Sequence, residues 1–138
     1  IGSLEFNSAT YYRYVAINVD LLAADTHLGG LTEDERKAIL PSFIKAALIA
    51  IPVARKNSMN AATLPFEVLG VHKESGQPLQ LVNAFENPVR ANGNGFRENS
   101  LQAMKGHLGD IEKIWGQQDE PHYLTDEGLD TFLDNLVR

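Results

Sequence analysis

Leu101, Met104, Leu108, Ile111 and Trp115 recur at alternating spacings of three and four, which lines one face of a helix with apolar side chains. Such a face needs a second layer to bury against. The helix is predicted to start at Asn99, a suitable N-cap, with Gln102 at the matching position of a capping box. A second helix is marked by Thr32 with Glu35 three positions on, and is predicted to run to about Ile51. Along it, Ile39, Phe43, Ala46 and Ala50 share one side and Leu40, Ile44, Ala47 and Ile51 the neighbouring one, so the apolar stripe is broad. Pro41 lies inside and has no N–H for the carbonyl four residues back, so a kink is expected there. A short last helix beginning at Thr125 carries Leu129, Phe132, Leu133 and Leu136 on its apolar face.

Strand-like runs supply the other layer. Thr10 to Asp20 is rich in Tyr, Val and Ile, with apolar bulk on both alternating faces, and is predicted to be an inner strand. Phe66 to Val71 and Leu79 to Asn83 read as two further strands, joined by "HKESGQP" as an antiparallel hairpin. The order strand, helix, strand, strand, helix, helix predicts an α+β fold. "NPVRANGNGFRENS" is a loop in which Gly93 and Gly95 permit backbone angles that other residues resist.

The 138 residues suit one domain, with 43% hydrophobic and 22% charged residues arguing for a globular chain rather than a disordered one. The longest apolar run, Ala46 to Ala54, contains Pro52 and falls well short of a bilayer span, so no membrane partner is expected. Without cysteine there is no disulfide, thiolate zinc site or cysteine nucleophile, and a reducing, cytoplasmic setting fits. "IGSLEFNS" lacks an initiator Met, a charged n-region and an apolar h-region, so it is not read as a signal peptide and the chain is expected to be a piece of a longer one. The net charge of -6 hides an asymmetry: residues 1–97 carry 9 Lys+Arg and 9 Asp+Glu, whereas residues 98–138 carry 3 and 9. The first two thirds can therefore present a local basic surface, and a polyanion responds to the local field.

A search for catalytic chemistry finds little. Neither a G-x-x-x-x-G-K-[ST] loop nor a G-x-G-x-x-G turn is present, and His27, His72, His107 and His122 show no metal-ligand spacing. No catalytic residue, metal or cofactor is expected, and the chain is read as non-enzymatic. Arg55, Lys56, Asn57 and Ser58 offer charge and donors within four residues, suited to phosphate and sugar contacts, though a solvated basic loop is the plainer reading. Arg90 and Arg97 flank the glycine loop with the same two readings. Tyr11, Tyr12 and Tyr14 could stack on unpaired bases. Burial in a small core is favoured for them, since the Arg/Lys-Gly-aromatic signature of RNA-recognition motifs is absent.

The blocks "GSLEFNSATYYRYVAINVDLL", "ARKNSMNAATLP" and "LVNAFENPVRANGNGF", in this order, resemble the C-terminal portion of the CasC family, the repeated backbone subunit of the type I-E CRISPR surveillance complex, Cascade. The resemblance covers about residues 1–115 and leaves an acidic, helical segment at 116–138. It implies the C-terminal part of a ferredoxin-like palm, similar to an RNA-recognition motif, with an antiparallel sheet and packed helices. The implied partners are the CRISPR guide RNA, target DNA, copies of the same chain and the other Cascade subunits, and the implied role is not that of a nuclease. The resemblance places Arg55, Lys56, Asn57 and Ser58 on the family's basic loop. It sets Arg90 where the family carries a basic residue facing DNA, and leaves Arg13 as a possible RNA contact between the packing residues Tyr12 and Tyr14. Asn92 stands where some relatives have a second lysine, a departure that counts against the DNA role. The alternative is a protein-interaction module whose tyrosines and broad helix serve subunit packing without touching nucleic acid.

Overall fold

The structure, a computed structural model, describes residues 9–51, 63–116 and 120–137. It is α+β, with α-helices and one small antiparallel sheet of two strands among the described residues. The chain divides into two compact units, one formed by Ile1–Tyr14 with Pro78–Gln118 and the other by Val15–Gln77 with Asp119–Arg138.

In the second of these, helix α1 (Val19–Leu22) is short and is capped by the Asn18 side chain, which accepts from the Leu21 N–H at 2.8 Å. Helix α2 (Glu33–Ile49) starts at the predicted capping box: the Thr32 hydroxyl accepts from the Glu35 N–H, and the Glu35 carboxylate accepts from the Thr32 N–H at 2.8 Å. The Thr32 N–H, contributing most, and the Thr32 hydroxyl, which also donates to Glu35 Oε2 at 2.8 Å, hold the Glu35 carboxyl below its usual range. Pro41 is accommodated inside α2, and the neighbouring Ser42 hydroxyl donates to the Ala38 carbonyl. Of the two apolar sides, Leu40, Ile44, Ala47 and Ile51 are half-buried while Ile39, Phe43, Ala46 and Ala50 are exposed. The breadth of the stripe thus exceeds what this unit covers.

Strand β1 (Leu69–Val71) pairs antiparallel with β2 (Pro121–Tyr123), in the register Leu69 to Tyr123, Gly70 to His122 and Val71 to Pro121. Helix α4 (Leu124–Glu127) follows β2 directly, and α5 (Leu129–Leu136) follows it after Gly128, whose φ of 76° interrupts the helix. The predicted last helix is therefore two pieces. Its apolar face is as expected, with Phe132 and Leu133 buried. Gly70 leaves room for Phe132 and Leu136, since a Cβ there would stand 2.9 Å or less from atoms of both. Glu67 closes the start of α4 from a distance in sequence: its carboxylate accepts from the Thr125 N–H at 3.2 Å and from the Thr125 hydroxyl.

In the other unit a 3-10 turn (Val82–Phe85) packs on helix α3 (Arg97–Trp115) around buried Leu81 and Leu108. Gly116, at φ 67°, terminates α3 in the left-handed conformation usual just past a helix end.

Three expectations are overturned. Residues 9–18 form no strand, because β-propensity alone does not make one and no described segment pairs with them. The 66–71 and 79–83 hairpin is absent: β1 takes β2 as its partner, and the Leu81 N–H is engaged by the Tyr12 hydroxyl instead of a ladder. Asn99 is not an N-cap, since α3 begins two residues earlier and the Asn99 side chain is used elsewhere.

Candidate nucleic-acid interface

The glycine loop that precedes α3 is fastened by amide side chains. Asn99 Nδ2 donates to the Arg90 carbonyl at 2.7 Å, and Asn92 Nδ2 donates to Glu98 Oε2 at 3.1 Å and Asn99 Oδ1 at 3.3 Å. Asn92 Oδ1 accepts in turn from the Asn94 N–H at 3.1 Å, a local turn of the kind asparagine favours. Gly93 and Gly95 sit at φ 94° and 93°, where a side chain would be strained even though the space around both is open. The loop is thus anchored to the first turn of α3 by its own backbone and amides. It leaves the Arg90 side chain exposed. The stretch from Asn87 to Arg97 carries Arg90 and Arg97 and is flanked by Glu86 and by Glu98, whose carboxylate is bonded to Asn92, so the positive charge here belongs to the two arginines rather than to a basic surface.

The tyrosines divide. Tyr12 is half-buried, its hydroxyl accepting from the Leu81 N–H at 3.1 Å and its ring 5.6 Å from that of Phe85 at a tilt of 52°. The predicted packing role holds for this ring. Tyr11 is 74% exposed and Tyr14 is also exposed, so neither is a core residue of its unit. Arg13, between two of them, is exposed and already takes part in an interaction. Arg55, Lys56, Asn57 and Ser58 lie outside the described residues. Of the predicted contact residues the structure therefore brings Arg13 and Arg90 into one unit.

Asn99 was misassigned by sequence reasoning, which found a helix signal and not a loop anchor. Its spacing from Asn92, seven residues across two glycines, is the signal that could have shown it. A second network was not foreseen at all: His122 Nδ1 meets Glu127 Oε1 at 2.8 Å, and Asn135 Nδ2 donates to Glu127 Oε2 at 2.9 Å. These side chains are largely buried, at 13% and 21% exposure for His122 and Glu127. Among the described residues no three His, Asp or Glu side chains gather as a metal-holding group, and no helix is long and apolar enough to cross a membrane.

An α+β protein with an arginine-bearing loop is the class that fold and surface define. Residues 1–134 match the family model described as CT1975-like protein, and the chain belongs to that family of CRISPR-associated proteins. No curated protein matches it.

Proposed function

We propose that the chain is a non-catalytic backbone subunit of a type I-E CRISPR surveillance complex, of the CasC kind, that grips guide RNA through its sugar-phosphate backbone. The observation that carries this reading is membership, over residues 1–134, of a CRISPR-associated family. In that setting the arginines and Lys56 become intelligible. Copies of the chain line up along the guide in the cytoplasm, alongside the other Cascade subunits, and leave the guide's bases to read target DNA for antiviral defence. Arg55, Lys56, Asn57 and Ser58, with Arg13, are the proposed RNA contacts. Arg90, held on the fastened glycine loop, is the proposed DNA contact.

The reading predicts a measurable salt dependence. Each phosphate neutralised on a single strand contributes a slope of about -0.7 in log affinity against log salt. Changing Arg55 and Lys56 together to Ala should weaken guide-RNA binding and flatten the slope by about 1.4 if both residues contact phosphate. An unchanged slope would favour the second reading, a module for subunit packing without nucleic-acid contact. That reading has its own support in the inward-packed Tyr12 and in the 72% and 75% exposure of Ile114 and Trp115 at the end of α3.

A further inference from the structure

Asn92 and Asn94, alone among the asparagines of this chain, stand immediately before a glycine. The placement matters chemically, because the backbone nitrogen that follows an asparagine can attack the side-chain Cγ, and glycine has no Cβ to obstruct the approach. Both glycines, Gly93 and Gly95, lie at positive φ with open space where a Cβ would stand. By sequence the two sites are equivalent. The structure makes them different.

Asn92 is held at both ends of its amide. Its Nδ2 donates to Glu98 Oε2 at 3.1 Å and to Asn99 Oδ1 at 3.3 Å, and its Oδ1 accepts from the Asn94 N–H at 3.1 Å. To reach the Gly93 nitrogen the Asn92 Cγ would have to turn and give up these bonds, and Asn99 is itself fixed on the Arg90 carbonyl at 2.7 Å. The Asn94 side chain has none of this. It is exposed, and among the described residues neither its amide nor the Gly95 N–H has a hydrogen-bond partner. The backbone around it is nonetheless tied down, by its own N–H on Asn92 Oδ1 and by the Asn92 N–H, which donates to the Gly95 carbonyl at 3.4 Å.

We propose that Asn94 is a site of spontaneous deamidation and that Asn92, in the same dipeptide two residues earlier, is shielded from it. The Gly95 nitrogen, its proton lost to solvent base, forms a bond to Asn94 Cγ; the Cγ–Nδ2 bond breaks, and Nδ2 leaves as ammonia with a proton taken from water. Water then opens the resulting succinimide at one carbonyl or the other, giving aspartate or isoaspartate. Either product puts a carboxylate between Arg90 and Arg97 and offsets part of their charge. Isoaspartate also adds a main-chain carbon inside the turn that the Asn92 N–H and the Gly95 carbonyl close. This chemistry stands apart from the nucleic-acid reading and survives its failure.

The test is to hold the whole chain in mildly alkaline buffer for several weeks, cleave it after Arg90 and Arg97, and locate the converted asparagine within residues 91–97 by fragmentation mass spectrometry, with the conversion at zero time subtracted. Asn94 should convert about tenfold or more faster than Asn92, the factor that about one net hydrogen bond confers. In the free peptide of residues 91–97 the two should convert at comparable rates. Equal rates in the folded chain, or no conversion of Asn94, overturn the proposal. In Glu98→Ala/Asn99→Ala, which removes both acceptors of the Asn92 amide, the Asn92 rate should rise toward that of Asn94; a rate that stays low overturns the shielding. Should that variant not fold, the unaltered chain against the free peptide decides the matter alone.

Discussion

Replacing Gly70 with Ala isolates the contact on which the packing of α5 depends. A Cβ there would stand 2.6 and 2.7 Å from the two Leu136 methyl carbons and 2.9 Å from Phe132 Cζ, against about 3.5–4.0 Å for carbon atoms at ease. The displacement required is about 1 Å. Leu136 can yield in part by changing rotamer, but Phe132 has 0% exposure and nowhere to go. Forcing a methyl into a filled core costs about 1–3 kcal/mol, offset by up to about 1 kcal/mol for replacing glycine in a strand. The net expectation is a loss of about 1–2 kcal/mol from this unit. With a urea slope of about 1–2 kcal/mol per M, the far-ultraviolet circular dichroism midpoint should fall by about 1 M, and the α5 amides should exchange faster. Gly106→Ala, in the interior of α3 with nothing within 4 Å of the new methyl, is the control and should stabilise by about 0.5–1 kcal/mol. If Gly70→Ala is as stable as the unaltered chain and α5 keeps its protection, the close approach is not what seats the helix.

Tyr12→Phe keeps the ring against Phe85 but removes the hydroxyl that accepts from the Leu81 N–H. The orphaned donor should cost about 1–2 kcal/mol, and exchange of the Leu81 amide reports it directly; unaltered exchange would mean that the bond contributes nothing. On the acid side, the hydrogen bond from His122 and then that from Asn135 hold the Glu127 carboxyl below its usual range. A carboxyl lowered in the folded state stabilises at pH values above the ordinary carboxylate range, and that stabilisation is lost as pH falls through the folded value. Acid titration followed by α5 exchange should therefore show release below about pH 4, and Glu127→Gln should flatten that limb. An identical acid limb in the variant would contradict the assignment.

What the sequence disclosed was chiefly local. The Thr32 capping box and the spacing of Leu129, Phe132, Leu133 and Leu136 involve residues one or two turns apart, and both appear in the structure as expected. The α+β class was likewise legible from the mixture of periods. Pairing was not. The 66–71 segment was matched to its nearest strand-like neighbour, whereas β1 joins β2 some fifty residues on, a choice set by Gly70 admitting α5 and by Glu67 closing α4. The aromatic run at 10–20 misled for a related reason: branched and aromatic residues fit a sheet only when a ladder is at hand, and here Tyr12 packs instead on a 3-10 turn. Of the candidate site, the arginines were readable as charge. The fastening of their loop through Asn92 and Asn99 was not, because an asparagine in sequence does not announce which carbonyl it will find.

Native mass spectrometry of the protein with guide RNAs of increasing length tests the gripping role most directly. A subunit that tiles a sugar-phosphate backbone should bind in copy numbers that climb stepwise as the RNA is lengthened. One copy at every length, or none, would contradict it.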